Sequence, residues 1–343
     1  MKTKRFVVSA VAVMLFLTAG PASVFAAGAP EAADEDRIAI VFATGGLGDQ
    51  SFNDAAYEGV QRAEQELGIE FDFAEPSAIA EYDDYLTQFA ATGRYGLIIS
   101  IGFDQADALE EVAAQHPEQN FALVDAVVEA PNVASFVYSE QERGFLMGVA
   151  AAMTTAMSDD PMINDEKRIG VVGGMQIPLI DANIAGYIAG ARYIDPEVSV
   201  SHSYVGDWAD PARGKELAIS MIEDGVDVVW QAAGRSGLGV LDAAEENDVY
   251  GIGADSVQDH LAPNHILPNG LKLVDETVLI AIEQVLAGEF AGGVQVLGIA
   301  DDALGYSESL LAPEVIERLE EVKAEITAGN IEIPETIDEA REL

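Results

Sequence analysis

Short unbroken apolar runs alternate along this chain with longer stretches in which apolar residues recur at helical spacing. The first kind reads as buried strands and the second as amphipathic helices. Strands are predicted at 38–43, 71–73, 96–102, 121–125 and 133–138, with helices at 55–67, 81–92 and 105–116 between them. A helix at 142–155, carrying Gly144 and Gly148, leads to a second series with strands at 168–174, 198–205, 226–230 and 249–255. Helices at 180–193, 211–223 and 238–246 separate these strands, and Pro211 suits the first turn of its helix. Near-continuous apolar strands between helices imply parallel sheets covered on both faces. Two such series imply an α/β chain of two doubly wound lobes, with a crossover near residue 140.

Beyond residue 257 the pattern weakens. Pro263, Asn264, Pro268, Asn269 and Gly270 interrupt 258–270, and no strand is assigned there. A helix at 271–287, a strand at 294–299 and a helix at 313–328 complete the reading; no tandem repeat or low-complexity tract is present.

The N-terminus changes the picture. Met1-Lys2-Thr3-Lys4-Arg5, the apolar stretch 6–17 and small residues ending in Val24-Phe25-Ala26 describe a secretory signal peptide over 1–26, too short for a comfortable membrane span. Residues 27–35, rich in Ala, Gly, Pro and Glu, read as a disordered leader. No other segment has the length of a transmembrane helix, so a soluble, exported (periplasmic or extracytoplasmic) protein is expected. The sequence has no cysteine, hence no disulfide framework and no lipobox cysteine.

The formal charge of −43 includes three cationic residues of the signal segment. Such a field disfavours nucleic acid and anionic membranes, and fits a surface adapted to a saline medium outside the cytoplasm. Self-repulsion should weaken the fold at low ionic strength, so the melting midpoint should rise with added salt. A midpoint independent of salt would contradict this.

In open parallel sheets ligands bind beyond the carboxyl ends of strands, between lobes where there are two. Those ends carry the turn from Gly45 to Asn53, Gly102-Phe103-Asp104, Asp125, Gly173-Gly174, Gly206-Asp207-Trp208, Ala233-Gly234 and Asp255. Three readings compete for the first turn. Gly46-Leu47-Gly48-Asp49-Gln50-Ser51 approaches a dinucleotide fingerprint but has Ser51 where a third glycine or alanine belongs. Asp49 or Ser51 otherwise caps the following helix. The third reading makes Asp49, Phe52 and Asn53 ligand groups.

Carboxylates at Asp49, Asp125 and Asp255 suit vicinal hydroxyls, and the rings of Phe52 and Trp208 suit a planar base. Lys272 sits among apolar neighbours that could carry it into the cleft, balancing Asp255 and donating to a hydroxyl, although most lysines keep their ammonium in solvent. The four histidines have no metal-ligand spacing, so no metal or cofactor is expected. There is no nucleophile elbow or P-loop, and no glycosidase pair can be picked from sixty Asp and Glu. No catalysis is indicated.

Six segments then occur in order: Gly48-Asp49-Gln50-Ser51-Phe52-Asn53, Asn120-Phe121-Ala122-Leu123-Val124-Asp125, Gly173-Gly174-Met175 with Pro178, Tyr204-Val205-Gly206-Asp207-Trp208-Ala209-Asp210-Pro211 with Gly214-Lys215, Gln231-Ala232-Ala233-Gly234, and Gly253-Ala254-Asp255-Ser256. Together they resemble the basic membrane protein family of ABC-transporter substrate-binding proteins, which includes purine nucleoside-binding lipoproteins of spirochaetes. The resemblance spans nearly all of the mature chain. It implies a type I periplasmic-binding fold: two Rossmann-like lobes with a ligand cleft between them, 36–140 plus 260–292 forming the N-terminal lobe and 141–259 plus 293–343 the C-terminal lobe. It also implies nucleoside recognition, with Asp49, Asn53, Asp125, Asp255 and Lys272 as polar ligands, Gly234 offering backbone, and Phe52 and Trp208 flanking the base.

Several positions depart from the family pattern. Asp181-Ala182-Asn183 stands where an aromatic residue is common, Val257 where another acid is common, and Arg235 replaces a frequent glycine. The resemblance implies a monomeric receptor, not an enzyme, that carries a nucleoside, purine foremost, to the permease and ATPase subunits of a transporter. Riboflavin or another small ligand, a sensory role on the same fold, and, last, an exported Rossmann-type oxidoreductase are the alternatives.

Overall fold

The computed structural model describes residues 34–157 and 159–343. The expected signal peptide and most of the expected leader lie outside the described residues. The end of the leader does not: the first strand begins at Asp34, whose backbone lies in register with Tyr95, so order starts before the expected boundary at 35. Strand ladders are made by backbone groups, which the polar composition of this stretch does not report.

The strands in chain order are β1 (Asp34–Val41), β2 (Glu70–Ala74), β3 (Tyr95–Ile101), β4 (Phe121–Val124), β5 (Val133–Tyr138), β6 (Arg168–Gly173), β7 (Ser199–Tyr204), β8 (Val226–Ala232), β9 (Tyr250–Asp255), β10 (Ile266–Lys272), β11 (Gly293–Leu297) and β12 (Leu304–Tyr306). They form two sheets, ordered β11-β5-β4-β3-β1-β2 and β12-β10-β9-β8-β6-β7. Every recorded pairing is parallel except β10 with β12. The central strands β3, β4 and β8 are buried along their whole length, as expected for sheets covered by helices on both faces. Among the described residues no helix is long and apolar enough to cross a membrane.

The chain leaves the first sheet after Tyr138, and the lobe boundaries beyond that differ from those expected. β10 pairs with β9 in the second sheet, so residues 266–272 belong to the second lobe. The helix Val274–Leu286 then packs on the helix Phe52–Leu67 of the first lobe. β11 joins β5 in the first sheet, and the second lobe resumes at β12. The turn-forming residues that obscured β10 have a physical place in it. Pro268 lies where the register with β9 shifts between Ile266 and Asn269, a position at which a missing N–H breaks no regular ladder bond.

Glycine brings two helices of the second lobe into backbone contact. A Cβ at Gly144 would lie 2.1 Å from the carbonyl oxygen of Asn183, and one at Gly186 would lie 2.1 Å from that of Gln141. Only hydrogen fits there, so Glu140–Thr154 and Pro178–Ile194 run against each other with no side chain between them at these points. The approach brings Glu140 and Arg143 of one helix to Asn183 of the other.

Candidate functional site

In each sheet the strand order reverses once, between β1 and β3 in the first lobe and between β6 and β8 in the second. Such switch points open a crevice at the carboxyl ends of the strands. The turns leaving β1, β3, β6 and β8 therefore face one another across the lobes. They border roughly 670 Å3 of space, part of it open to solvent. All eight residues selected from sequence line this cleft: Asp49, Phe52, Asn53, Asp125, Trp208, Gly234, Asp255 and Lys272.

Lining the cleft does not leave each of them free for a ligand. Asp49 is buried, and its Oδ1 accepts the backbone N–H groups of Ser51 (2.9 Å) and Asp54 (3.1 Å). Its Oδ2 accepts from the Asn53 backbone (2.9 Å) and the Asn53 amide Nδ2 (3.0 Å). Asp49 thus caps the helix Phe52–Leu67 from ahead of its first turn, and its expected role as a ligand group is corrected accordingly. Asn53 is partly committed too, since its Oδ1 accepts the Ala43 N–H at 2.9 Å. Ser51 does not cap with its side chain.

Burial pushes the Asp49 carboxyl up to about 6, with its hydrogen bonds from Asn53, Ser51 and Asp54 pulling down. Asp227, a wholly buried residue of β8, is likewise raised by burial to about 6, against bonds from the Thr155 hydroxyl and the Asn164 N–H. Each folded-state value lies above the ordinary carboxyl range near ~4. The folded state therefore holds these protons more tightly, and their contribution to stability declines as pH rises from about 4 to about 6. Carboxylates held low, such as Asp195 beside Lys167, lose their contribution only at lower pH. At fixed ionic strength the melting midpoint should be higher at pH 5 than at pH 7; the reverse order would contradict this assignment.

At one part of the cleft five charged groups meet. Lys272 ends β10, is 2% exposed, and donates from Nζ to both oxygens of Asp125 (2.6 and 2.7 Å) and to Glu140 Oε1 (2.7 Å). Arg143 donates to Asp255 Oδ1 (2.5 Å) and to Asn183 Oδ1 (3.1 Å), and lies 2.8 Å from Glu140 Oε2. The expected pairing of Lys272 with Asp255 is therefore corrected: Lys272 balances Asp125 and Glu140, while Arg143 balances Asp255. All three N–H groups of the ammonium are engaged, so the expected donation by Lys272 to a ligand hydroxyl would replace one of these three bonds. Phe52 and Tyr138 cover the ammonium with their rings, at 5.0 and 4.5 Å from their centroids.

Two cations thus face three carboxylates. Burial drives Asp125 up to about 6; Lys272 opposes that shift, and Glu140 and Asp255 add to it. Glu140, more deeply buried, is nonetheless held below its usual range because Arg143 and Lys272 both face it. Asp125 and Asp255 adopt left-handed backbone, with φ of 75° and 65°. Aspartate tolerates this region better than most residues, but such strain persists only where its surroundings hold it, as at binding sites. Each oxygen of these carboxylates keeps acceptor capacity beyond the bonds it makes.

The aromatic part of the cleft draws on both lobes. Trp208 comes from the second, and its indole lies against Gly174, where a Cβ would approach within 2.2 Å of Trp208 Cζ3. Phe103 of the first lobe meets it edge-on, ring centroids 6.5 Å apart. Gly234, at φ 55°, turns beneath the same indole.

Several contacts tie the lobes directly. Ser51 donates to Asp255 Oδ2 at 2.5 Å, Gln258 Nε2 donates to the Gln50 carbonyl at 2.9 Å, and Arg235 donates to the Leu47 carbonyl. The cleft is thus in a closed arrangement. Sequence reasoning missed Ser51, Arg143 and Glu140 as site residues. A signal existed for the last two: in a helix that is apolar and small from Gly144 to Met153, a carboxylate and a guanidinium three residues apart in the first turn can form a buried pair. Among the described residues no group of three or more His, Asp or Glu is placed to hold a metal ion.

Comparison with known proteins follows the same outline. The model of the Bmp family, described as ABC transporter substrate-binding protein PnrA-like, matches residues 37–337. The chain is 30% identical over 359 residues to the ABC transporter nucleoside-binding protein BmpA of Lactococcus lactis subsp. cremoris, covering 97% of this chain and 99% of that protein. It is 34% identical over 283 residues to an uncharacterized lipoprotein of Pyrococcus abyssi, covering 79% and 68%. Among solved structures, an ABC transporter solute-binding protein from Aeropyrum pernix K1 superposes with a TM-score of 0.80 at 30% identity, covering 89% of this chain and 95% of that one. With two parallel-sheet lobes closing on a cleft and a family match across nearly all of the described residues, the chain belongs to the Bmp family of PnrA-like ABC transporter substrate-binding proteins, an extracytoplasmic and non-enzymatic family.

Proposed function

We propose that this receptor binds a nucleoside, a purine nucleoside foremost, between its lobes and presents the closed form to its permease. The observation that carries the reading is the division of the cleft. Phe52 of the first lobe and Trp208 of the second offer aromatic faces, while Asp125 and Asp255 offer acceptors for vicinal hydroxyls beside Lys272 and Arg143. A flat base joined to a ribose has these two characters in one molecule. The nucleoside-binding name of the Lactococcus relative points the same way. Ligand contacts with both lobes add to the bonds that already join them, so binding favours the closed population that a permease recognises.

A thermal-shift panel in salt tests this with the mature protein against inosine, guanosine, adenosine, free bases, ribose and riboflavin. A ligand at about a hundred times its Kd stabilises the folded state by about 2.7 kcal/mol. Purine nucleosides should raise the midpoint, and free ribose and free bases should not. A shift with riboflavin or a sugar and none with any nucleoside would keep the fold and overturn the ligand.

A further inference from the structure

Among the described residues, one carboxylate oxygen of a residue that lines the cleft has no hydrogen-bond partner. Asp104 stands in the turn after β3, and its Oδ2 accepts from the hydroxyls of Tyr82 (3.1 Å) and Thr44 (3.3 Å). Its Oδ1 is buried, and among the described residues no donor reaches it. The support behind it is rigid: Tyr82 is 0% exposed, and its hydroxyl oxygen also accepts the Thr44 N–H at 2.8 Å. A buried acceptor without a partner disfavours the folded state, so a native structure that keeps one in a cleft has a use for it or leaves it to solvent. Its neighbour in sequence, Phe103, is the residue whose ring meets Trp208, which puts Asp104 at the aromatic part of the cleft rather than among the cations.

We infer that Asp104 Oδ1 accepts a hydrogen bond from a ring N–H or exocyclic amino group of the bound base, and so selects nucleosides that carry such a donor. The inference rests on the nucleoside reading above. A base stacked on Trp208 turns its edge, not its face, toward the residues around the indole, and an edge bearing an N–H satisfies the orphan oxygen. An edge presenting a ring nitrogen lone pair there leaves two acceptors opposed, which is how a buried polar group rejects a close analogue. Burial raises the Asp104 carboxyl while the Tyr82 and Thr44 hydroxyls favour its ionised form.

The test compares calorimetric affinities for inosine, guanosine and adenosine with that for purine riboside, which has no N–H donor on its six-membered ring. The wild-type protein should prefer the best donor-bearing nucleoside by about tenfold or more. Asp104→Leu should shrink that ratio to within about twofold, and the isosteric Asp104→Asn should reduce it by at least about threefold, which serves should the leucine variant not fold. Tyr82→Phe, which removes a support but leaves Oδ1, should keep the preference. An unchanged ratio in the Asp104 variants, or an equal loss in Tyr82→Phe, overturns the inference while nucleoside binding stands. Absence of nucleoside binding by the wild-type protein overturns the nucleoside reading and this inference with it.

Discussion

Replacing Lys272 with methionine should destabilise the protein by about 3–5 kcal/mol, because it leaves buried carboxylates without their cation. The side chain is 2% exposed and answers three carboxylate oxygens on two residues. Methionine fills a similar volume, so the loss is electrostatic rather than steric. Arg143 alone would then face Asp125, Glu140 and Asp255. For a chain of this size the change amounts to a fall of roughly 10 °C in the melting midpoint. Acidification should return part of it, since Asp125, already raised to about 6 with Lys272 present, would take up a proton more readily without it. A midpoint within a degree or two of the wild type at pH 7 would show that the cluster is not an ion-pair network of the folded state.

The companion substitution should separate binding from folding. Asp125→Asn keeps the shape, and asparagine tolerates the left-handed backbone at this position. It also removes one of three negative charges facing two cations, so Lys272 retains Glu140 and the cluster becomes balanced. Stability should change by no more than about 1 kcal/mol, the size of a typical single hydrogen bond. Affinity for the nucleoside that stabilises the wild-type protein should fall on the order of 100-fold, since charged hydrogen bonds to ligand hydroxyls are lost in a buried site. Titration calorimetry and chemical unfolding on the same sample read both quantities. Unchanged affinity would remove Asp125 from the binding site; a collapse of stability to match Lys272→Met would mean that Asp125 is needed for the fold itself.

The two variants differ because the cleft is not electrically symmetric. A lysine lost there strands anions, whereas an aspartate lost there relieves an excess of them. Burial weighs on every member, but Glu140 is held ionised by two cations and Asp125 by one, and this decides which carboxylate gives way first. The same asymmetry suits a receptor, because an anion that retains acceptor capacity and is incompletely compensated gains most from the hydroxyl donors of a ligand.

Most strands and helices were legible because apolar runs, helical spacing and glycine turns are local properties of the chain. β10 was not, since its prolines and asparagines are turn formers by local preference; the neighbouring β9 and the ladder shift at Pro268 make it a strand. The role of Asp49 could not be separated from that of a ligand group by inspection, because a carboxylate ahead of a helix suits either use. Its distances to three backbone N–H groups and the Asn53 amide decide for the cap.

By itself the sequence determined that there are two α/β lobes and which strand ends converge, since the placement of binding crevices follows from strand order and needs no side-chain detail. Only the tertiary structure decided which charge neutralises which, that Ser51 reaches the opposite lobe, and that Asp104 keeps an unanswered oxygen. Those outcomes depend on distances of a few ångströms between residues such as Lys272 and Asp125, 147 positions apart in the chain. Electrostatic and hydrogen-bond energies fall off over just such distances, and no local pattern encodes them.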